Sequence, residues 1–309
     1  MIEAKNITKR FYNNVAVNSL SFNIKKQEIF GIVGPDGAGK STLLRILAGI
    51  LPPDEGKVFI DSIDIYNNLS KNFKEKISYM PQSFGLYEDL TVEENLHFIG
   101  KLFSIPKKER EMRIERLYQF SNLKPFKNRL AGRLSGGMKQ KLGLMCALMH
   151  NPLILILDEP TNGVDPVSRR EFWDILYELL KEGTTIVIST AYLDEAERCS
   201  RIALMYQGKF LLSGQISEIQ RQTEEKLVDI SVSNPLKFEK IIREKFNIEV
   251  FVRGNSILFF SPDEEIQSSI LALVEKELTK EEREFFHWSI KQPTLEDLFI
   301  KWIKDLKAS

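Results

Sequence analysis

One short segment of the sequence combines glycines, a lysine and two hydroxyl side chains at a spacing that suits phosphate binding. Residues 34–42 match the pattern GxxxxGK[ST] and lie between an apolar run at 28–33 and a stretch with helical spacing. Because glycines let backbone amides approach an anion at the start of a helix, the amides of residues 37–42 are expected to face phosphate groups. Lys40 would reach the β- and γ-phosphates of a nucleotide, and the Ser41 hydroxyl would ligate Mg²⁺. The predicted phosphate-binding residues are Gly34, Pro35, Asp36, Gly37, Ala38, Gly39, Lys40, Ser41 and Thr42.

Two adjacent acids follow a strongly apolar run later in the chain. Residues 153–157 are all Leu or Ile, and Asp158 and Glu159 come directly after them. This order places both carboxylates at the carboxyl edge of the predicted sheet, where ligands of such folds bind. Asp158 is predicted to be a magnesium ligand, and Glu159 is predicted to be the general base that polarises an attacking water.

A second glycine-rich segment reads Leu-Ser-Gly-Gly-Met at residues 134–138 and precedes a predicted helix. The Ser135 hydroxyl and the backbone amides of Gly136 and Gly137 are predicted to form a second anion site. The surrounding stretch, 123–141, contains six bases and no acid, a charge field that suits a polyphosphate. A solvated basic helix face is the alternative interpretation of these charges.

The elements around these segments alternate between strands and helices. Residues 2–24 have the alternation of two or three short strands with a turn at 13–14, which predicts an antiparallel edge. Residues 153–157 and 184–189 are apolar runs of strand length, and the helical spacing of 169–181 supplies the crossover that a parallel pair needs. The predicted fold class is therefore α/β.

Two further regions differ from this pattern. Helical spacing dominates about residues 88–151, where Thr91 and Glu94 predict a capping box at a helix start, so an inserted helical subdomain is expected. After residue 214 the order becomes β-α-β-β-α-β, which predicts a C-terminal α+β domain of ferredoxin-like type. The predicted domains are a nucleotide-binding domain at 1–220 and an accessory domain at 221–309.

Composition restricts the location and the partners of the chain. Its 309 residues include 43 Lys and Arg and 43 Asp and Glu, so the formal net charge of zero excludes a binder driven by charge alone. Cys146 and Cys199, its two cysteines, lie outside any metal-ligand spacing and are expected to be buried, reduced thiols. A secretory signal is not evident, and the apolar runs fall short of the roughly 18–20 residues that span a bilayer. A cytosolic location is therefore expected, with any membrane role carried by a partner.

The glycine-rich segments, the paired acids and their order resemble the ATP-binding subunit of an ATP-binding-cassette (ABC) transporter over roughly residues 1–220. The resemblance implies a P-loop NTPase sheet that binds ATP and Mg²⁺. It implies that Phe11 stacks on adenine, and that Gln82 contacts both Mg²⁺ and a membrane subunit. The residues that it assigns to catalysis are Glu159, Lys40 and Gln82.

The family resemblance also implies an assembly of two cassettes, either a homodimer or a heterodimer. In such dimers the subunits pair head to tail, so Ser135 and Gly137 would grip the γ-phosphate of a nucleotide bound at Lys40 of the other subunit. Asp165 lies in a segment, residues 163–166, that resembles the family's D-loop and is expected beside the nucleotide.

The type of transporter is suggested by two further segments. The turn at 208–214 and the tail at 292–299 are similar to those of single-cassette subunits of ABC-2 type exporters. This similarity implies an integral membrane permease as partner, a position at the cytoplasmic face of the membrane, and no nucleic-acid partner. The alternative is a soluble ABC ATPase that acts on ribosomes or nucleic acid; such proteins usually carry paired cassettes or a long coiled coil, and this sequence has one cassette and no sustained heptads.

Three positions depart from the family pattern. Ala191 stands where the family carries a switch histidine, which predicts slow hydrolysis or a need for the membrane partner, while the intact Glu159 predicts that ATP binding and dimerisation survive. Met138 replaces a glutamine after the second glycine-rich segment, and Asp36 replaces an asparagine. Both of these changes are expected to have mild effects.

Overall fold

The computed structural model describes residues 1–67, 75–83, 85–221, 226–261 and 263–308. The chain forms two compact units, Met1–Gln215 and Ile216–Ser309. None of the helices within the described ranges is long and apolar enough to cross a membrane.

The first unit is built on two sheets. Among the described residues, its strands are β1 (Ile2–Phe11), β2 (Asn14–Ile24), β3 (Ile29–Val33), β4 (Glu55–Ile60), β5 (Ile63–Asp64), β6 (Ile77–Met80), β7 (Ile154–Asp158), β8 (Thr185–Thr190), β9 (Arg201–Tyr206) and β10 (Lys209–Gly214). One sheet has the order β2-β1-β4-β5 and is antiparallel throughout. The antiparallel element that the sequence predicts is therefore present, as a sheet of its own rather than as the edge of the larger one.

The larger sheet positions the glycine-rich and acidic segments. Its order is β10-β9-β3-β8-β7-β6 in the part of the chain that the structure describes. Its strands are parallel except β10, which pairs with β9 in the antiparallel sense. Every residue of β3, β7 and β8 is buried, as expected for strands covered on both faces. Because these three strands are parallel, their carboxyl ends at Val33, Asp158 and Thr190 meet at one edge of the sheet.

Helices cover the sheet and form an insertion with its own core. The helices of this unit, within the described ranges, are α1 (Lys40–Leu47), α2 (Val92–Leu102), α3 (Lys107–Ser121), α4 (Gly136–Leu148), α5 (Pro166–Lys181) and α6 (Leu193–Ala196). Helices α2, α3 and α4 share a hydrophobic cluster, and Thr91 and Glu94 make the predicted capping box at the start of α2. Cys146 is buried in that cluster, and Cys199 is also buried, as predicted; burial raises the pKa of both thiols.

The second unit has one antiparallel sheet. In the described ranges its strands are β11 (Lys226–Ser231), β12 (Phe251–Arg253), β13 (Ser256–Ser261) and β14 (His287–Lys291), in the order β12-β13-β11-β14. Its helices there are α7 (Ile216–Arg221), α8 (Pro235–Phe246), α9 (Glu264–Glu277) and α10 (Leu295–Ala308). Apolar side chains of α8, α9 and the sheet form one core, which includes Phe238, Ile242, Phe259 and Ile270.

Candidate functional site

The loop after β3 needs glycine at two of its positions. Gly39 has φ 104°, and a Cβ there would lie 2.1 Å from the carbonyl oxygen of Ala16. At Gly34 a Cβ would lie 2.1 Å from the carbonyl oxygen of Met205. The loop can therefore follow this path only with glycine at both positions, because neighbouring backbone fills the space that a side chain would need.

The remaining loop residues take up the positions expected of a segment that opens a helix. Asp36 and Gly37 are exposed at the tip of the loop, and Ala38 is buried, with its amide donating to the carbonyl of Pro35 at 3.2 Å. Helix α1 begins at Lys40, and Ser41 and Thr42 are half-buried in its first turn. The amides at the start of α1 belong to the end of the helix that attracts anions.

The buried Lys40 side chain links this loop to the acidic pair. Its ammonium donates to the carbonyls of Gly34 at 2.7 Å and Pro35 at 3.1 Å, and it lies 2.9 Å from Oε1 of Glu159. An ammonium group held at the mouth of the loop is suited to neutralise a phosphate bound to the loop amides.

Asp158 ends β7 and accepts hydrogen bonds from three hydroxyl groups. Ser41 Oγ donates to Oδ1 at 2.9 Å, Ser189 Oγ to Oδ1 at 2.8 Å, and Tyr79 OH to Oδ2 at 2.9 Å. Burial raises the pKa of Tyr79 to about 12, so its phenol remains a donor at neutral pH. The predicted neighbourhood of Ser41 and Asp158 is thus present, whereas Tyr79 and Ser189 were not predicted from the sequence.

Glu159 adopts a backbone conformation that is rare for its residue type. Its φ is 46°, in the left-handed region, and strain of this kind concentrates at functional sites. Its Oε2 accepts from Gln82 Nε2 at 2.8 Å and from Asn162 Nδ2 at 3.3 Å. Its amide donates to Ser189 Oγ at 3.0 Å. The structure thus brings Lys40 and Gln82 to Glu159 and adds Asn162, which the sequence did not indicate.

The donors in this site fit a hard divalent cation that is completed by phosphate. Among the described residues no group of three or more His, Cys, Asp and Glu side chains could hold a metal by itself. Mg²⁺ is commonly held by one or two carboxylates, waters and substrate phosphates, and the adjacent Ser41 and Asp158 oxygens supply that kind of donor. Gln82 makes its hydrogen bond to Glu159, so its part as a metal ligand stays a prediction.

Phe11 and the second glycine-rich segment have surroundings of their own in the described residues. Phe11 ends β1 with its side chain 43% exposed. Ser135 is the N-cap of α4, where it accepts from the amide of Met138 at 3.4 Å. Gly136 is exposed, and a Cβ on the buried Gly137 would lie 2.4 Å from Ser168 Cβ. In the described part of the chain, no hydrogen bond or ion pair joins these residues to the loop at 34–42.

Asp165 has a local structural role that the sequence analysis did not include. It caps α5 by accepting from the amide of Ser168 at 2.9 Å, and this bond lowers the pKa of its carboxyl. Its side chain is exposed, and within the described residues it does not contact the cluster around Glu159.

Helix α6, shortly after β8, carries a further buried carboxylate that the sequence analysis missed. Glu195 is fully buried and accepts hydrogen bonds from Thr161 and, at 2.6 Å, from Thr190 Oγ1. The Arg169 guanidinium lies 3.5 Å from it. Ala191 precedes this carboxylate and is exposed. The network ties the loop after β7 to the loop after β8, so both are held against the sheet edge.

The basic stretch at 123–141 does not form the free charge field that its sequence suggested. Four of its six bases make ion pairs with acids from other segments, because those segments lie beside it in the folded chain. The pairs are Lys124 with Glu115, Lys127 with Glu93, Lys139 with Glu88 and Lys141 with Glu171.

Comparison with known proteins places this geometry in a family. A sequence-family model described as ABC transporter matches residues 17–162. The probable multidrug ABC transporter ATP-binding protein YbhF of Escherichia coli is 48% identical over 217 residues, which are 70% of this chain and only 37% of YbhF. The Nod factor export ATP-binding protein I of Sinorhizobium fredii is 33% identical over 305 residues, 97% of this chain and 85% of that protein.

A solved structure agrees with the sequence matches. The dimeric post-hydrolysis structure of the ATP-binding cassette MJ0796, bound to ADP and Pi, has a TM-score of 0.63 and 29% identity, and the match covers 70% of this chain and 98% of that one. Together with a relative that matches nearly the whole chain, this likeness and the site built from Lys40, Asp158 and Glu159 show that the chain belongs to the ATP-binding proteins of ABC transporters.

Proposed function

We propose that this chain is the ATP-binding and ATP-hydrolysing subunit of an ABC-2 type exporter, and that it powers transport through a separate membrane subunit. The convergence of Lys40 and Gln82 on Glu159, beside the pair formed by Ser41 and Asp158, carries the ATPase part of the proposal. The export part draws on relatives named for multidrug transport and for Nod factor export.

In the proposed hydrolysis step, residues of this chain activate the water and hold the phosphates. Glu159 takes a proton from water while the water oxygen bonds to the γ-phosphorus. The bond between that phosphorus and the β–γ bridging oxygen breaks, and its electron pair leaves with ADP. Lys40 and the amides of residues 37–42 hold the phosphates, and Ser41 and Asp158 would hold Mg²⁺, which when bound supplies charge neutralisation at the phosphate oxygens.

The second glycine-rich segment is proposed to act on a nucleotide bound by another cassette. Ser135 and Gly136 are exposed at the start of α4, the end of a helix that attracts anions. A second copy of this chain, or a different cassette, would place its own segment equivalent to residues 134–138 against the loop at 34–42. The dimeric state of the similar cassette MJ0796 supports this arrangement, and we place Phe11 and Asp165 beside the same nucleotide.

The partner is proposed to be an integral membrane permease that docks beside Gln82 and so holds the chain at the cytoplasmic face of the membrane. A cavity of about 280 Å³ lies between β6 and the helical insertion. Next to it Leu102 is 68% exposed and Phe98 is 39% exposed, and exposed apolar patches of this kind mark interaction surfaces. Side chains that line the cavity include Ile77, Met80, Leu86, Ile99, Phe103 and Ala147.

Two architectural proposals accompany this function. We assign the nucleotide-binding domain to 1–220, with its helical subdomain at about 88–151, and the accessory domain to 221–309. The strand order β12-β13-β11-β14 supports a ferredoxin-like accessory domain, since it alternates the strands of two interleaved β-α-β units.

Site-specific photo-crosslinking in the native membrane tests the transport proposal. A crosslinking residue at position 102 is expected to capture a polytopic membrane protein, and a matched residue at the exposed Ile63 on β5 is expected to capture none. Sedimentation of the chain with ribosomes, with no membrane protein captured at position 102, would instead favour the soluble alternative.

The effect of having Ala191 in place of the family's switch histidine can be tested separately. If the missing histidine limits the rate, Ala191→His raises the rate of ATP hydrolysis by about a hundredfold or more, the scale of a positioned proton-transfer group. An unchanged rate would show that the exchange does not limit turnover.

A further inference from the structure

A chain of two hydrogen bonds connects the Tyr192 phenol to the Glu159 carboxylate through the Asn162 side chain. Tyr192 OH donates to Asn162 Oδ1 at 3.3 Å, and Asn162 Nδ2 donates to Glu159 Oε2 at 3.3 Å. The direction of the chain follows from the chemistry of its members. An ionised carboxylate only accepts, so the amide nitrogen faces Glu159, the amide oxygen faces Tyr192, and the phenol must donate.

Tyr192 and Asn162, the two members of this hydrogen-bond relay, each have a backbone contact independent of it, and the Tyr192 ring has a further one. The Tyr192 amide donates to Thr190 Oγ1 at 3.0 Å, and the Arg169 guanidinium lies 4.5 Å from the centre of the Tyr192 ring. The backbone amide of Asn162 donates to the backbone carbonyl of Glu159 at 3.2 Å, which closes a tight turn after β7. The relay therefore joins the loops after β7 and β8 at the carboxylate.

The position of the relay gives it a task at this site. Glu159 stands in a strained backbone conformation, which persists only where surrounding contacts hold it. Gln82 and Asn162 both donate to Oε2, whereas Oε1 faces Lys40. Ala191 presents only a methyl group, which donates no hydrogen bond, while the next residue along the chain supplies the phenol.

We infer that Tyr192 and Asn162 are positioning residues for Glu159, and that they supply from position 192 the orientation that Ala191 cannot supply from position 191. The inference rests on the proposed function of Glu159 as the general base. Hydrolysis by this chain is therefore sensitive to the removal of the Tyr192 phenol oxygen, which lies two hydrogen bonds from the Glu159 carboxylate.

The test is single-turnover hydrolysis of ATP by the full chain, with the enzyme in excess so that slow rates are measured. Tyr192→Phe is expected to lower the rate constant about two- to tenfold, the equivalent of one neutral hydrogen bond. Asn162→Ala is expected to lower it by about tenfold or more, because its bond to the ionised carboxylate is charge-assisted, and both variants are expected to keep the parent half-saturation. The double variant is expected to fall no further than Asn162→Ala, because both substitutions break the same relay.

A matched control separates positioning from a general loss of structure. Tyr177 lies on α5, away from Glu159. Its OH donates a hydrogen bond to the Arg198 carbonyl, also at 3.3 Å. Tyr177→Phe loses a bond of the same length and is expected to hydrolyse ATP at the parent rate. An equal fall in the Tyr177 and Tyr192 variants would overturn the inference.

Glu159→Gln distinguishes failure of the inference from failure of the proposed function. If Glu159→Gln abolishes turnover and Tyr192→Phe keeps the parent rate, the relay has no positioning role and the general base stands. If Glu159→Gln itself keeps the parent rate, the general-base assignment fails, and the inference fails with it.

Discussion

The ammonium group of Lys40 lies 2.9 Å from Oε1 of Glu159, and both side chains are almost completely buried. The pair joins the loop after β3 to the loop after β7, two segments separated by more than a hundred residues in the sequence. Each charge is thus compensated by a group from the other loop. The loop that is proposed to hold phosphate and the carboxylate that is proposed to activate water therefore form one unit.

Breaking this pair from one side is expected to destabilise the chain. Lys40→Met leaves the Glu159 carboxylate buried without its cation, and the free energy of unfolding is expected to fall by about 3 kcal/mol. Adding Glu159→Gln removes the uncompensated charge and is expected to restore part of the loss. Urea denaturation without nucleotide measures both; equal stability of Lys40→Met and the parent would contradict the pairing.

Substitution of the loop glycines is expected to disturb the site by steric overlap. At Gly39 an alanine meets both an unfavourable φ and the Ala16 carbonyl, so Gly39→Ala is expected to cost about 2–4 kcal/mol of folding stability and to abolish ATP binding. Gly254 also has a positive φ of 59°, with open space where a Cβ would stand. Gly254→Ala therefore serves as the matched control, with a loss of about 1 kcal/mol and unchanged ATP binding.

The sequence identified the parts of the site that are contiguous in it. Residues 34–42 and the acidic pair were found because a phosphate-binding loop and a strand end are each one short segment. The donors Tyr79 and Ser189 were missed because their contacts with Asp158 depend on how β6, β7 and β8 align. Asn162 was missed because its contact with Glu159 depends on the tight turn after β7. The pairing of Asp158 with Ser189 across β7 and β8 is a property of strand register, which alternation within one strand does not reveal.

Tertiary pairing modified two of the sequence interpretations. The basic stretch at 123–141 lost its free charge because acids such as Glu171, on α5, pair with it. The sequence predicts two or three short strands in 2–24, and two strands are present. They are longer than expected, because register shifts in β1 and a positive φ at Asn6 absorb the breaks in alternation. Both outcomes depend on tertiary pairing.

His150 is expected to make stability depend on pH. Its ring stacks on Phe103 with 4.1 Å between centroids, and its Nε2 lies 3.2 Å from the Ile77 carbonyl oxygen. Burial lowers its pKa, and Arg113 acts in the same direction, whereas the Ile77 hydrogen bond and Glu75 raise it. The net pKa is below the ordinary value of 6.5, so as pH falls the unfolded chain takes up this proton before the folded chain does.

The contribution of His150 to stability is therefore fully present above its ordinary pKa and is lost as pH falls below it. The urea midpoint is expected to fall between about pH 7.5 and about pH 5.5, and to fall less in His150→Gln. The exposed His287 offers the control, because His287→Gln is expected to keep the full dependence. Parallel curves for His150→Gln and the parent would contradict the assignment.

Glu159→Gln tests most directly whether Glu159 is the general base, because it keeps the shape of the side chain and removes its capacity to accept a proton. The measurement is single-turnover hydrolysis of ATP by the parent and by Glu159→Gln, with gel filtration of each in ATP. Glu159→Gln is expected to bind ATP, to fail to hydrolyse it and to elute as a stable dimer. Hydrolysis at the parent rate, or elution only as a monomer with ATP bound, would contradict it.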